Sequence, residues 1–328
     1  MPSILALDPG YGNTKVCVDC RTASIQSAAA RPRSIGLAAI GIKTASQARK
    51  VTFDQYRFAV GPESWHWGDS ISSRDYSALA TPERRAMFYA VLSELLPPGE
   101  YSSDLLVIGL PVPLLQDQTQ AEPIFSNLKA YKGEHAFQVS QVENSSKASY
   151  RLRIDRLKVL AQPVGAYADW LLDNELHPRK GGAQAEVAIL DLGMNTLDLY
   201  VIQGGRVEPR FVGGGKVGVR RLLELLTGNG HQVEELDAEL RAGRLRPAPT
   251  DVEAWLAEVL AVIERTWSNL RRFSAVVPTG GGSLVLGERL RLALIAKGAA
   301  VHWPENPITA NVRGLWKWGS RVRSTRET

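Results

Sequence analysis

The chain has 328 residues, 44% of them hydrophobic and 22% charged, enough to bury one large core or two to three smaller ones, with two domains as the default. Its 39 Lys and Arg against 34 Asp and Glu leave a formal charge of +5, modest for this size, and no zinc-finger, RNP-type or helix-turn-helix pattern accompanies it. Two cysteines, Cys17 and Cys20, make neither a disulfide scaffold nor a structural zinc site, and with no leader pattern or membrane-spanning apolar run the expectation is a soluble cytoplasmic protein with no membrane partner.

Ile4 to Leu7 is an apolar run that leads into Asp8-Pro9-Gly10-Tyr11-Gly12-Asn13-Thr14-Lys15, and Val16-Cys17-Val18 leads out. This pattern predicts a β-hairpin with a carboxylate, glycines and small polar residues in its bend. Such a bend is either an ordinary Asp-Gly turn or a loop that holds hydrated Mg²⁺ and offers backbone N–H groups to phosphate. Residues 21 to 80 read as a strand-rich insertion, with a loop at Arg31-Pro32-Arg33-Ser34 and short strands at Val51 to Phe53 and Tyr56 to Val60.

Thr81-Pro82-Glu83 predicts a helix start, with Met87, Leu92, Leu95 and Leu96 as its apolar face and Pro97-Pro98 as its stop. Leu105 to Leu110 is a buried strand that ends in Pro111-Val112-Pro113. Alternation at Phe137 and Val139, then at Tyr150, Leu152 and Ile154, predicts two strands separated by Glu143 to Ser146. Leu157 to Leu160 runs on to Gln162-Pro163, which places Gln162 between a strand and a helix. From there its side chain either reaches a ligand or caps a turn.

The hairpin pattern returns at Val187 to Leu190, Asp191-Leu192-Gly193-Met194-Asn195-Thr196-Leu197-Asp198 and Leu199 to Ile202. Two such units imply similar halves that face a nucleotide. Gly213-Gly214-Gly215-Lys216-Val217-Gly218 is formally GxGxxG, with Glu234 further on, but Gly228-Asn229-Gly230 interrupts a dinucleotide unit too early. The stretch reads instead as a glycine-rich approach to a helix at Val219 to Leu226, facing a nucleotide's sugar or phosphate. After Pro247-Ala248-Pro249, Thr250 and Glu253 have capping-box spacing, and Trp255 and Trp267 belong to a core-facing stripe. Ala275 to Pro278 is a strand that ends in Thr279-Gly280-Gly281-Gly282-Ser283, where glycines let backbone pass against a flat ligand, before a helix near Leu284. Ala300 to His302 reads as a short strand and Ile308 to Trp318 as the terminal helix, followed by a basic end through Arg321, Arg323 and Arg326.

In order, the Asp8 loop, Gln162-Pro163-Val164-Gly165-Ala166, the Asp191 loop, Thr279 to Ser283 and Ala310-Asn311-Val312-Arg313-Gly314 resemble the first phosphate loop, first connecting helix, second phosphate loop, adenosine loop and second connecting helix of the actin-like ATPases. The pattern is most similar to the ParM-type plasmid-segregation actins. The resemblance implies an α/β, two-domain ATPase fold with duplicated ribonuclease-H-like halves around a nucleotide cleft. Domain I would be 1–160 with 315–328, and domain II 161–314 with a helical insertion at about 209–275. It implies ATP or GTP with Mg²⁺, Asp8 and Asp191 holding the metal through water, and Gln162 orienting the attacking water. Gly10, Gly12, Asn13, Thr14, Lys15, Gly193, Asn195, Thr196, Gly214, Gly215, Lys216, Gly280, Gly281 and Gly282 would line the nucleotide.

As partners it implies a homopolymer and a DNA-binding adaptor linking the filament to plasmid DNA, with hydrolysis controlling disassembly. Many plasmid actins carry a glutamate at the place of Gln162, so water positioning and electrostatic stabilisation are the expected chemistry. The alternatives are a small-molecule kinase or phosphatase of the same superfamily, with Asp69 or Asp75 as base, and a non-enzymatic scaffold or DNA binder using the basic C-terminus.

Overall fold

A computed structural model describes residues 3–32, 47–71, 79, 81–112, 115, 118–141, 146–226 and 233–324. Contacts divide the chain into two compact units, Met1–Gln162 with Leu315–Thr328, and Pro163–Gly314. Arg33, Ser34, Asp75, Pro113, Glu143 to Ser145, Gly228 to Gly230 and Arg326 lie outside the described residues, as do the side chains of Asp69 and Glu234.

In the first unit, β1 (Ile4–Pro9), β2 (Asn13–Val18), β3 (Arg21–Gln26), β9 (Leu105–Leu110) and β12 (Leu157–Ala161) form a sheet in the order β12-β9-β1-β2-β3. Every residue of β1 is buried, as its apolar run requires of a central strand covered on both faces. It pairs antiparallel with β2 and parallel with β9, which sets Asp8 opposite Lys15. The strand-rich stretch at 21–80 divides between sheets: β3 extends this one, because Arg21 to Gln26 pairs along the whole of β2. The others, β4 (Ala29–Pro32), β5 (Arg49–Phe53), β6 (Tyr56–Val60) and β7 (Gly68–Ile71), join β8 (Gly99–Ser103), β10 (Gly133–Gln141) and β11 (Ala148–Ile154) in the order β7-β4-β6-β5-β10-β11-β8.

Helix α1 (Pro82–Leu95) packs against strands of both sheets. It is therefore buried on nearly every side, from Ala86 through Leu92, rather than along the single stripe expected from Met87, Leu92, Leu95 and Leu96. Pro82 sits in its first turn, but the Thr81 side chain makes no capping bond. Tyr89 stacks on Phe137 at 4.3 Å, and Phe137 on Tyr150 at 5.0 Å, tying the helix to β10 and β11. Helix α2 (Gln118–Leu128) was not expected; Pro123 inside it masks the helical signal. Cys17 is buried in β2 and Cys20 lies in the following turn, with no disulfide between them.

In the second unit, β13 (Glu186–Leu192), β14 (Leu197–Gln203), β15 (Arg206–Val207) and β17 (Ala275–Thr279) run in the order β15-β14-β13-β17, and β16 (Gly213–Gly215) also pairs with β14. Again the first strand is antiparallel to its hairpin mate and parallel to its other neighbour. Gly213 to Gly215 is thus an edge strand and not a loop leading into a helix. Added Cβ atoms would lie 2.6 Å from Thr266 at Gly213 and 2.4 Å from the Leu197 carbonyl at Gly214.

Behind this sheet lie α4 (Val219–Leu226), α5 (Val233–Arg241) and α6 (Pro249–Thr266). Helix α6 begins at Pro249 with Ala248 as cap, so Thr250 is already inside its first turn and the expected capping box does not form. Trp255 and Trp267 are core residues whose indole N–H groups donate to the Val217 and Phe211 carbonyls. Beyond β17, α7 (Gly281–Leu286) starts three residues before Leu284, and α8 (Glu288–Ala296) follows. Val301 forms only an isolated bridge to Val276. Helix α3 (Gln162–Leu171) meets the start of α9 (Ala310–Ser324) at Gly165 and Gly314, where a Cβ on Gly314 would lie 1.8 Å from the Gly165 carbonyl. Arg313 adds two bonds to Asp169, each 2.7 Å. Among the described residues no helix is long and apolar enough to cross a membrane.

Candidate functional site

In the first unit the β1–β2 hairpin brings Asp8, Gly10, Gly12, Asn13, Thr14 and Lys15 to one bend. Asp8 is fully buried, which is costly for a carboxylate unless its oxygens are answered. Lys15 Nζ donates to one oxygen at 2.9 Å, and Gln162 Nε2, arriving from the start of α3, donates to the other at 2.7 Å. Gln162 thus presents its amide nitrogen to Asp8, leaving the carbonyl oxygen as its acceptor end. A Cβ at Gly10 would lie 2.8 Å from the Asn13 carbonyl and 3.3 Å from Lys15 Nζ, so the bend closes only around a glycine.

Two residues outside the motif fasten this bend. Ser27 Oγ donates to the Gly10 carbonyl at 2.7 Å and lies 2.9 Å from Thr14 Oγ1, while its backbone N–H donates to the Gly12 carbonyl at 3.0 Å. Arg84, from α1, donates to the same Gly10 carbonyl at 3.1 Å, and burial pushes the pKa of its guanidinium down. Neither has a local sequence signal, because each reaches the loop from another element.

In the second unit Asp191 stands opposite Asp198 across the β13–β14 hairpin, with Gly193, Asn195 and Thr196 in the bend. The Gly193 N–H donates to the Thr196 carbonyl at 2.9 Å, and Asn311 Nδ2 donates to Asp191 Oδ2 at 2.8 Å. Asp198 accepts from Thr196 Oγ1 at 2.7 Å, yet burial, helped by the neighbouring charge of Asp191, raises its pKa to about 6. Gly214 pairs with Asp198, and Gly215 with Leu197, so both border the loop, whereas Lys216 is exposed and makes no ion pair among the described residues. The bend also receives α4: the Val219 and Arg220 N–H groups donate to the Gly193 and Met194 carbonyls at 3.1 and 2.8 Å.

Gly280 has φ +85, and a Cβ there would lie 2.3 Å from the Leu192 carbonyl and 2.7 Å from Asp191 Oδ1. The turn after β17 therefore passes directly beside the second carboxylate. Gly282 is closed off by Leu192, while nothing lies within 4 Å of a Cβ placed on Gly281. Thr279, in register with Asp191, buries a hydroxyl that has no hydrogen-bond partner among the described residues. An orphaned buried hydroxyl beside a carboxylate and an open glycine fits a site completed by a ligand.

The donors suit Mg²⁺, which takes oxygen ligands, keeps several waters and uses one or two carboxylates with phosphate oxygens. Among the described residues no three His, Cys, Asp or Glu side chains cluster as an all-protein metal cage.

Residues 6–165 match a family model described as the N-terminal domain of actin-like proteins. No curated protein matches the sequence. Among solved structures, the apo psk41 parM protein has a TM-score of 0.71 at 14% identity, covering 99% of both chains. Ta0583, an archaeal actin homolog, also gives 0.71, at 18% identity over 98% of this chain and 100% of that chain, and has been solved in complex with ADP. A 15-stranded ParM filament from Clostridium botulinum gives 0.65 at 17% identity, over 98% of this chain and 100% of that one. The chain has an actin-like fold along nearly its whole length, and its first half is similar to the N-terminal domain of actin-like proteins.

Proposed function

We infer that this protein is a Mg²⁺-dependent ATPase, or GTPase, of the ParM type, with duplicated ribonuclease-H-like halves, that assembles into filaments in the cytoplasm and positions plasmid DNA through a DNA-binding adaptor. The observation that carries this reading is the paired device itself. In each unit a carboxylate, Asp8 or Asp191, ends a strand that is antiparallel to its hairpin mate and parallel to its other neighbour, with a glycine two residues further on. The actin-like fold supports a nucleotide as the ligand that such loops serve.

In this reading Asp8 and Asp191 hold hydrated Mg²⁺, which when bound neutralises phosphate charge. Lys15, already fixed by Asp8, adds positive charge toward the β- and γ-phosphates. Gly10 and Gly193 keep the loop backbones close to the phosphates, and the Gly280 turn takes the nucleoside. Gln162 orients water through its carbonyl oxygen while Asp8 anchors its amide nitrogen; an amide is too weak a base to abstract the proton, so its contribution is positional.

Because a head-to-tail contact between identical subunits is open-ended, nucleotide-controlled assembly is the decisive property. With Mg-ATP, purified protein at micromolar concentration should scatter light above a critical concentration, and the signal should decay as ATP is consumed, with filaments visible by negative stain. A protein that stays monomeric with Mg-ATP and with a non-hydrolysable analogue, across concentration and salt, while phosphorylating a small acceptor, would replace this reading with the kinase one.

A further inference from the structure

The outer face of the seven-stranded sheet has no part in the nucleotide reading. The inner face, through Val51, Phe53, Phe58, Phe137, Val139, Tyr150 and Leu152, is buried in the core. Alternation then turns Lys50 and Thr52 of β5, Arg57 of β6, Gln138 and Ser140 of β10, and Ser149, Arg151 and Arg153 of β11 outward.

At the β8 edge the charges are answered: Arg151 lies 3.7 Å from Glu100, and Arg153 is 2.8 Å from Asp155. Toward β5 and β6 they are not. Lys50, Arg57 and Lys147 are exposed and have no ion-pair partner among the described residues. Together with Thr52, Gln138 and Ser140 they line a polar hollow of about 80 Å³. Register explains the convergence: Thr52 lies between Arg57 and Gln138, and Lys50 between Ala59 and Ser140, with Lys147 following at the next strand.

We propose that this face binds the phosphate backbone of double-stranded nucleic acid, with Lys50, Arg57 and Lys147 contacting phosphates and Thr52, Gln138 and Ser140 donating hydrogen bonds to them. Charge complementarity names a polyanion, and the apolar content of the face chooses which. Among the described residues of β5, β6, β10 and β11, the outward positions include no aromatic or large aliphatic side chain, only Ala59 and Ala136 among the polar groups. A protein partner draws its affinity from such anchors, whereas backbone binding runs on cations and polar donors alone. The absence of aromatics also disfavours single strands, whose bases need stacking platforms. The interaction is sequence-independent.

The test is fluorescence anisotropy of a labelled DNA duplex with the full chain at low salt, comparing three proteins. Wild type should bind with a Kd of about 1–100 μM, and log Kd should depend on log salt with a slope near 3 for the contacts named. K50Q/R57Q/K147Q should lose at least tenfold in affinity and most of that slope, while its circular dichroism and melting stay unchanged. K180Q/R246Q/R289Q removes the same charge from exposed positions elsewhere and should bind as wild type does. Absence of duplex binding by wild type, equal losses in the two triple variants, or tighter binding of polyglutamate than of duplex would each overturn the proposal.

Discussion

Asp8 and Asp191 occupy equivalent places in two hairpins, but their surroundings differ. Asp8 is sealed from solvent with an ammonium on one oxygen and an amide on the other. Asp191 is partly exposed, receives the Asn311 amide, and faces a second carboxylate, Asp198. The first loop answers its buried charge with Lys15 and Gln162; in the second, burial first and the charge of Asp191 second raise the pKa of Asp198. Geometry that looks duplicated can therefore divide the electrostatic work unequally.

The comparison breaks most sharply at Lys15. Lys15→Met leaves a fully buried carboxylate without its cation, and unfolding in denaturant should show a loss of about 3–5 kcal/mol. Adding Asp8→Asn should restore much of it, because two neutral groups then replace an uncompensated charge. If Lys15→Met alone is neutral, the ion pair does not hold the first loop.

Gln162→Ala sharpens the same contrast through chemistry. It should leave nucleotide binding intact and slow hydrolysis about 10²-fold, the usual scale for one positioned catalytic group, and filaments should persist longer. Normal turnover with normal filament lifetime would remove Gln162 from the mechanism.

Asp198→Asn addresses the second loop. Its folded pKa, about 6, lies above the ordinary 3.8, so the folded state binds the extra proton between those values. Stability from this group is complete below about pH 4, falls as pH rises toward 6, and stays reduced above it. Measured without nucleotide or divalent cation, the variant should exceed wild type by about 2 kcal/mol at pH 7, a figure reduced for partial solvent screening, and match it near pH 4. An advantage independent of pH would show that charge is not the cause.

The smallest effect belongs to Thr196→Val, which removes a hydroxyl that donates to that carboxylate at 2.7 Å. It should cost about 1–2 kcal/mol above pH 6 and move the Asp198 titration further upward, readable by carboxyl NMR. An unmoved titration would mean that the hydroxyl does not stabilise the ionised form.

Much of this was legible along the chain because hairpins are local. The apolar runs around Asp8 and Asp191 announce strands by themselves, and the Asp and Gly spacing fixes which groups fall in each bend. Gly280 was also visible, since a positive φ after a strand favours the residue without a Cβ. Residues that act at a distance were not. Ser27 and Arg84 reach the first loop from other elements, and nothing in the sequence around either points to Gly10. Gly213 to Gly215 read as a loop because glycine permits one; their place as an edge strand depends on Thr266 and Val262 closing over them. Helix α1 lacks a stripe because it is covered by two sheets, a circumstance of packing that periodicity cannot express.

The sequence alone therefore determined the two carboxylate bends and the strands that carry them, because hydrophobic alternation and turn chemistry act between near neighbours. Tertiary structure alone decided how each charge is held: which oxygen of Asp8 meets Lys15 and which meets Gln162, that Asp198 faces Asp191, and that three cations from separate segments share one hollow. Coulomb and hydrogen-bond energies depend on separation and burial in space, and neither is a function of distance along the chain.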